Sequence, residues 1–256
     1  FTKLGINFEI INNNPDGINI NENCGSTHLE NLKNFVVNHK MSLGIAYDGD
    51  GDRCLAVDEE GNEIDGDTLL AIFGEYLKKR NKLKNNTIVS TIMSNLGLNK
   101  FAKEQDLDLK QTKVGDRYVL EEMLKNDYNL GGEQSGHIIL LDYNPTGDGI
   151  LTSLMLIQIL LEENIKISKL CKIINKYPQV LINVKVNNDK KPLYKEDTEI
   201  QEEIKNLEAE LQDNGRVIIR PSGTEPLIRV MIEGQNQKMI EEKATKLANL
   251  IKLKLN

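Results

Sequence analysis

The spacing of apolar residues predicts two kinds of element that alternate through the middle of the chain. Apolar positions three and four residues apart predict helices at 29–39, 67–77, 97–105, 117–124 and 147–163. Short apolar runs between turn residues predict strands at 6–11, 42–47, 54–57, 87–92, 109–112 and 138–141. The alternation from Asp65 onward, where Asp67 is the predicted helix cap, indicates an α/β layer with a largely parallel sheet.

The order of the elements changes next to Pro178. Strands are predicted at 180–186, 216–219 and 227–232, and helices at 196–211 and 238–253. This β-α-β-β-α order predicts a small α+β domain with an antiparallel sheet. We therefore expect three segments, with bounds at 1–64, 65–177 and 178–256.

Composition and charge narrow the classes of function. A net charge of −7 argues against a general nucleic-acid-binding protein. Three cysteines without framework spacing fit reduced thiols in a cytoplasmic protein. The most apolar window, 150–161, is too short to cross a bilayer, so no membrane partner is expected. Because the chain opens at Phe1 inside a helix-end pattern, we also expect it to be a piece of a longer protein.

The most informative stretch is the acidic loop, Asp48-Gly-Asp-Gly-Asp-Arg53, between two predicted strands. Its glycines allow the carboxylates of Asp48, Asp50 and Asp52 to converge. Two like charges ~4 Å apart repel by roughly 4 kcal/mol at an effective dielectric of about 20, so such a loop usually holds a cation. Oxygen ligands alone point to Mg²⁺ or Ca²⁺.

Other interpretations of the acidic loop fit the residues less well. An EF-hand loop needs a glycine where Arg53 stands and amphipathic helices on both sides. A phosphatase of the haloacid dehalogenase type needs a threonine after its Asp-x-Asp-Gly, and this loop has none. A solvated acidic turn is the remaining alternative.

Three further loops are rich in glycine and polar residues. Taken alone, Lys113-Val-Gly-Asp-Arg117 fits an ordinary turn with Asp116 as helix cap better than a site. Gly131-Gly-Glu-Gln-Ser-Gly-His137, here called the sugar loop, offers a carboxylate for adjacent hydroxyls, but also fits a plain hairpin. Arg220-Pro-Ser-Gly-Thr-Glu-Pro226, here called the phosphate loop, combines a guanidinium, two hydroxyls and a glycine whose backbone can bind an anion. Together the loops predict phosphoryl transfer on a sugar phosphate.

The acidic, sugar and phosphate loops, in this order, resemble the α-D-phosphohexomutase superfamily. The stretches 15–25, 91–97 and 114–118, together with Gln134, are similar to the phosphoglucosamine mutases within it. The resemblance covers the whole chain. It implies mixed-sheet α/β domains, namely the end of domain 2 and all of domain 3, followed by the α+β domain 4. It also implies interconversion of glucosamine 6-phosphate and glucosamine 1-phosphate, through a phosphoserine and a bisphosphate, for cell-wall precursor synthesis.

The resemblance further implies roles for individual residues. It gives a metal site for one Mg²⁺ at Asp48, Asp50 and Asp52. The catalytic positions are Arg53, Lys113, Asp116 and Arg117. Those that hold the sugar hydroxyls and the phosphate that does not react are Glu133, Ser135, His137, Arg220, Ser222, Gly223, Thr224 and Arg229. Because Asp116 stands where relatives acting on glucose and mannose phosphates have a histidine, the general base stays open.

One feature of the superfamily is missing from the sequence. No serine here has the Ser-His-Asn-Pro context of the phosphoryl donor, which belongs to domain 1. We therefore expect the chain alone to be inactive, its partners being an amino-sugar phosphate and a missing N-terminal domain, with an oligomer possible. Two alternatives remain: a phosphomannomutase or phosphoglucomutase of the same superfamily, and a non-catalytic module that binds Mg²⁺ and a sugar phosphate.

Overall fold

The computed structural model describes residues 1–255, which pack as two compact units. Unit 1 contains 1–94 and 98–175, and unit 2 contains 95–97 and the chain from Lys176 onward. The elements of the first part of unit 1 are α1 (Glu30–His39), β1 (Leu43–Tyr47), β2 (Cys54–Asp58), β3 (Glu63–Ile64) and α2 (Gly66–Lys79). They are followed by β4 (Thr87–Thr91), α3 (Leu96–Glu104), β5 (Asp108–Thr112), α4 (Asp116–Asn126), β6 (Leu130–Gly132), β7 (Ile138–Leu140), α5 (Gly149–Glu163) and α6 (Ile167–Leu170).

Unit 1 contains two sheets. The first has the antiparallel order β1-β2-β3, and the predicted hairpin that carries the acidic loop is its β1–β2 pair. The second has the order β5-β4-β6-β7, in which β4 pairs in parallel with β5 and β6 while β7 runs antiparallel to β6. The sheet is therefore mixed. Its antiparallel pair is β6 and β7, which the sugar loop joins directly.

Successive residues of β4 explain why helices cover both faces of the second sheet. Ile88 packs in the large core with Phe73 of α2 and Leu156 of α5, whereas Val89 packs with Met123 of α4. Side chains of a strand alternate between faces, so each face of β4 needs its own apolar cover. The turn 113–117 and the sugar loop, which follow β5 and β6 of this sheet, therefore begin at strands that are held in place.

Unit 2 is the small α+β domain that the sequence predicts. Its elements are β8 (Gln179–Lys185), α7 (Thr198–Leu211), β9 (Gly215–Pro221), β10 (Leu227–Gly234) and α8 (Gln237–Leu255). The strands form the antiparallel order β8-β10-β9. Ile228, Val230 and Ile232 alternate along β10 and pack in one core with the helices.

A buried carboxylate explains why residues 95–97 belong to unit 2. Glu233 is fully buried and accepts hydrogen bonds from Arg216 Nε at 2.5 Å, Asn95 Nδ2 at 3.2 Å and the Leu96 N–H at 3.1 Å. Burial raises the pKa of Glu233, and Arg216 opposes that rise. These bonds satisfy a charge that would otherwise be costly to bury.

Several local expectations were wrong. The segment 6–11 forms no strand, since no other strand of the described chain pairs with it. Asp65, and not Asp67, caps α2, because its Oδ1 accepts the Thr68 N–H at 3.0 Å. The cap of α4 is Gly115, with Asp116 as the first helical residue.

No helix among residues 1–255 combines the length and apolarity that crossing a membrane requires.

Candidate active site

The acidic loop lies where the β1–β2 hairpin turns, and Asp48 organises its backbone. The Oδ1 atom of Asp48 accepts the N–H groups of Gly51 at 3.1 Å and Arg53 at 3.2 Å. Its Oδ2 lies 3.7 Å from Arg53 Nε. Gly51 has φ 74°, a left-handed conformation that suits glycine. The carboxylate nearest β1 therefore holds the loop in a tight turn.

Asp52 carries the least satisfied oxygen of this loop. Its Oδ1 is buried and has no hydrogen-bond partner among the described residues, while its Oδ2 lies 3.5 Å from His137 Nε2. Burial raises the pKa of Asp52, as does the adjacent Asp48, whereas His137 and Arg53 act in the opposite direction. A buried carboxylate oxygen that receives no donor is suited to a hard divalent cation.

Asp50 does not join the other two carboxylates. It is exposed at the tip of the loop, and residues 1–255 contain no group of three or more acidic, histidine or cysteine side chains placed to hold a metal ion. The Oδ1 atom of Asp48 already accepts a hydrogen bond within its own loop. Repulsion between like charges disfavours a third carboxylate beside Asp48 and Asp52. The donors thus fit a cation chemically, but the expected convergence of all three is not built into this conformation.

The sugar loop, between β6 and β7, is attached to two neighbouring segments by backbone hydrogen bonds. The Cys54 N–H donates to the Gly136 carbonyl at 3.0 Å, and the Gly66 N–H donates to the Gln134 carbonyl at 2.9 Å. Gly136 has φ 91°, and a Cβ there would lie 2.4 Å from the Cys54 carbonyl oxygen. Only glycine fits at this position, so the sugar loop is held against the base of the acidic loop.

His137 connects the sugar loop to two carboxylates. Its ring is 4% exposed, and Nε2 lies 3.5 Å from Asp52 and 3.9 Å from Asp116. Its Nδ1 is buried and has no hydrogen-bond partner in the described part of the chain. A Cβ on Gly147 would come within 2.4 Å of the ring, so this glycine leaves the space that His137 occupies.

Glu133 connects the sugar loop to the turn before α4. Its Oε1 accepts the Gly115 N–H at 2.9 Å. Lys113 and Arg117, on either side of that turn, are exposed, and Arg117 Nε bonds Glu121 at 2.7 Å. The turn that looked ordinary in the sequence therefore meets the sugar loop, while its two cations extend into solvent.

The phosphate loop lies in unit 2 and connects β9 to β10. Ser222 is buried, its N–H donates to the Leu227 carbonyl at 2.9 Å, and its Oγ accepts the Glu225 N–H at 3.1 Å. Gly223 and Thr224 are exposed at the tip. The serine hydroxyl thus stabilises the turn itself, and the two tip residues are accessible to a ligand.

Two arginines lie side by side next to this loop. Arg220 of β9 and Arg229 of β10 are directly paired, so their side chains share one face of the sheet. A guanidinium nitrogen of Arg229 lies 2.9 Å from Glu225, while Nε of the same side chain is buried without a hydrogen-bond partner among the described residues. Two adjacent guanidinium groups favour a doubly charged anion between or above them.

The structure thus groups the predicted residues by unit. Unit 1 brings together Asp48, Asp52, Arg53, Asp116, Glu133 and His137. It leaves exposed Asp50, Lys113, Arg117 and Ser135. Unit 2 brings together Arg220, Ser222, Gly223, Thr224 and Arg229.

Some residues that shape these loops were not singled out from the sequence. Gly147 accommodates the His137 ring, and a Cβ on Gly149 would lie 2.7 Å from the Arg53 carbonyl oxygen. The two glycines flanking a helix-capping aspartate, Asp148, were the available signal. Lys191, which contacts the phosphate loop, belongs to a polar run that resembles an exposed turn, so no signal in the sequence indicated its role.

Unit 1 is a mixed α/β unit in which the acidic and sugar loops are held together, and unit 2 is an α+β unit whose phosphate loop lies beside two paired arginines. Two family models match this succession of domains. The model described as "Phosphoglucomutase/phosphomannomutase, alpha/beta/alpha domain III" matches residues 65–177. That of "Phosphoglucomutase/phosphomannomutase, C-terminal domain" matches residues 181–250. The chain belongs to the phosphoglucomutase/phosphomannomutase family.

Individual relatives narrow the comparison. The chain is 57% identical to a phosphoglucosamine mutase of Clostridium botulinum (strain Kyoto / Type A2), over 255 residues, and 57% identical to one of Clostridium beijerinckii over 256. Each match covers 100% of this chain and 57% of the relative. The fold is also similar to a crystal structure of Aspergillus fumigatus N-acetylphosphoglucosamine mutase in complex with GlcNAc-6P and magnesium, with TM-score 0.73, 18% identity and coverage of 92% and 54% of the two chains.

Proposed function

We propose that this chain supplies the acidic, sugar and phosphate loops of a phosphoglucosamine mutase. The whole enzyme would interconvert glucosamine 6-phosphate and glucosamine 1-phosphate by way of a phosphoserine and a bisphosphate. The observation that carries this proposal is that the acidic loop, the sugar loop and the turn 113–117 meet at His137, whose Nε2 lies 3.5 Å from Asp52 and 3.9 Å from Asp116. An assembled set of loops is a stronger argument than any one motif, because each alone fits an ordinary turn.

The residues of unit 1 would orient the substrate and neutralise charge. Glu133 and Ser135 would accept and donate hydrogen bonds to the sugar hydroxyls, and Arg53 would balance charge on the transferred phosphoryl oxygens. Mg²⁺ held by Asp48, Asp50 and Asp52 would supply further charge neutralisation when bound. Phosphoryl transfer depends mainly on such positioning and charge stabilisation.

The residues of unit 2 would hold the phosphate that does not react. Arg220 and Arg229 would bind its oxygens, with hydroxyl and backbone donors from Ser222, Gly223 and Thr224.

The phosphoryl donor is the part this chain does not supply. None of its serines has the Ser-His-Asn-Pro context, so we propose that the 256 residues alone do not turn over substrate. We also propose that the whole protein acts in the cytoplasm, where the thiols of Cys24, Cys54 and Cys171, none of them in a disulfide, would stay reduced.

Two assays test this proposal. Calorimetry with Mg²⁺ present should show glucosamine 6-phosphate binding to the purified chain, and Arg220→Ala should weaken it about tenfold or more through loss of a charge-assisted contact. Lys195→Met, which removes an exposed positive charge elsewhere in unit 2, is the matched control.

The second assay measures catalysis. The chain alone should be inactive, and fusing it to the part of the C. botulinum relative outside the matched stretch should give mutase turnover. Turnover by the chain alone, in preparations free of host enzyme, would refute the assignment of the donor. A folded fusion that binds substrate without turnover would favour a non-catalytic sugar-phosphate-binding module. Faster turnover of mannose or glucose phosphates would favour the other mutases of the family.

A further inference from the structure

A buried lysine lies beneath the phosphate loop. Lys191 is 7% exposed, and its Nζ donates to the carbonyl oxygens of Ser222 at 2.5 Å and Glu225 at 2.9 Å. Both acceptors belong to the phosphate loop and flank its tip residues, Gly223 and Thr224. A single side chain, from the short helical turn Lys191–Lys195, therefore connects the two sides of the loop through their carbonyl groups.

The positive charge of Lys191 has no carboxylate partner. Among residues 1–255 no acidic oxygen lies within 4.0 Å of its Nζ, and its hydrogen bonds are the two to loop carbonyls. Burying an ammonium group is unfavourable unless something compensates it. Two carbonyl dipoles compensate only in part, so the field of this charge extends into the loop above it.

The same two hydrogen bonds fix the direction of the loop's peptide groups. With the carbonyls of Ser222 and Glu225 bound to Lys191, the N–H groups of Gly223 and Thr224 between them make no hydrogen bond in the described structure. Successive N–H groups without acceptors form an anion-binding concavity. No Cβ contact constrains Gly223, and its φ is not in the left-handed region, so glycine conformation alone does not explain the loop geometry.

We propose that Lys191 is a positioning residue for phosphate binding: it holds two carbonyls of the phosphate loop away from the ligand and adds a buried positive charge under the anion. It does not touch the ligand. This inference rests on the proposed function, since it assigns the ligand as the dianionic phosphate monoester of the hexose.

The test uses the 256-residue chain and two ligands, inorganic phosphate and glucosamine 6-phosphate. Lys191→Gln keeps a hydrogen-bond donor but removes the charge, and we expect it to weaken both affinities about tenfold. Lys191→Arg keeps the charge, and we expect it to bind within about threefold of the unsubstituted chain. Tyr194→Phe, which removes a hydroxyl of the same turn that contacts the Ile219 carbonyl outside the loop, and Lys195→Met are the controls and should leave both affinities unchanged.

A second measurement separates charge from simple loop disorder. Below the second phosphate pKa of about 6 the ligand is a monoanion and above it a dianion. Loss of a nearby positive charge should weaken the dianion more than the monoanion, so the deficit of Lys191→Gln should grow between pH 5 and pH 8. A disordered loop would give the same deficit at both pH values, and that result would overturn the electrostatic role.

The outcomes also separate this inference from the proposed function. If Lys191→Gln binds both ligands as tightly as the unsubstituted chain while Arg220→Ala does not bind, the phosphate site stands and the role of Lys191 is overturned. If the unsubstituted chain binds neither ligand, the phosphate site itself is refuted and both proposals are overturned. If Lys191→Gln does not fold, weak binding by a folded Lys191→Arg would overturn the inference, and tight binding would support it.

Discussion

The acidic loop of unit 1 and the phosphate loop of unit 2 are built for opposite charges and are held in place by different means. Backbone hydrogen bonds and close approaches to glycines fix the acidic and sugar loops, as at Gly136, where a Cβ would lie 2.4 Å from a carbonyl oxygen. The phosphate loop instead has a glycine with open space around it and a buried ammonium group that binds its carbonyls.

This difference has a physical reason. More negative charge nearby would destabilise a loop that gathers carboxylates, and this loop is shaped by hydrogen bonds to its backbone and by close approaches to glycines. A loop that receives a dianion gains from every buried positive charge that supports it. Substitutions should therefore affect the two regions in different ways.

The largest contrast concerns chemical protection at the base of the acidic loop. Cys54 is fully buried, and burial raises the pKa of its thiol to about 12 from the ordinary 9.0. At pH 8 its thiolate population should be about a thousandfold below that of an ordinary cysteine. Iodoacetamide labelling followed by mass spectrometry should modify Cys24 and Cys171, both partly exposed, long before Cys54.

The sign of the linkage follows from the raised pKa. The protonated Cys54 thiol contributes stability that is fully present below pH 9 and is lost as pH rises toward 12. Labelling of Cys54 at pH 8 as fast as that of Cys24 would show that the packing between the acidic and sugar loops opens readily.

The next contrast compares two glycines. Gly136→Ala should destabilise unit 1 by about 3 kcal/mol, because the new Cβ meets the Cys54 carbonyl and the residue has a positive φ. Gly223→Ala should change the stability of unit 2 by less than about 1 kcal/mol, since nothing lies within 4 Å of its Cβ position. Denaturant unfolding with a probe in each unit measures both. Equal effects would contradict the steric account.

Secondary structure was largely readable from the sequence, because the elements have clear apolar periodicity. The hairpin of β1 and β2 and an antiparallel sheet of β8, β9 and β10 were both expected, whereas the strand order β8-β10-β9 was not predicted. Segment 6–11 has the same local pattern, but no strand within residues 1–255 pairs with it, and pairing cannot be predicted from one segment alone. Asp65 and Asp67 are equivalent as caps in sequence terms, and only the backbone position selects Asp65.

The sequence predicted those site residues that are charged or that belong to recognisable loops. Glu133 and His137 were expected to face a ligand, but their contacts with Gly115, Asp52 and Asp116 depend on the folded arrangement. Lys191 could not be distinguished from its exposed neighbours, since burial is a property of tertiary packing. Asp50 illustrates the opposite limit, because its regular spacing did not place it with the other carboxylates.

The smallest contrast concerns the charge of the acidic loop. The raised pKa of Asp52 means that its protonated form contributes stability below the ordinary pKa, which is lost as pH rises through the raised value. At pH 7 without divalent cations, Asp52→Asn should therefore stabilise unit 1, by up to about 1 kcal/mol after allowance for solvent screening.

Magnesium should reverse the relative stabilities of the unsubstituted chain and Asp52→Asn. It should raise the melting temperature of the unsubstituted chain and have little effect on Asp52→Asn. Asp50→Asn is a second variant at a proposed ligand: because Asp50 is exposed, stability without magnesium should not change, but the response to magnesium should be weaker than that of the unsubstituted chain. Identical magnesium responses from all three proteins would remove the metal site from the account.

Hydrogen–deuterium exchange of the 256-residue chain tests the two-loop account most directly. Magnesium should slow amide exchange at residues 48–54 and leave 220–227 unchanged, whereas inorganic phosphate should protect 222–227 and leave the acidic loop unchanged. Exchange rates that respond to neither ion, or protection of the acidic loop by phosphate, would contradict the assignment of opposite charges to these loops.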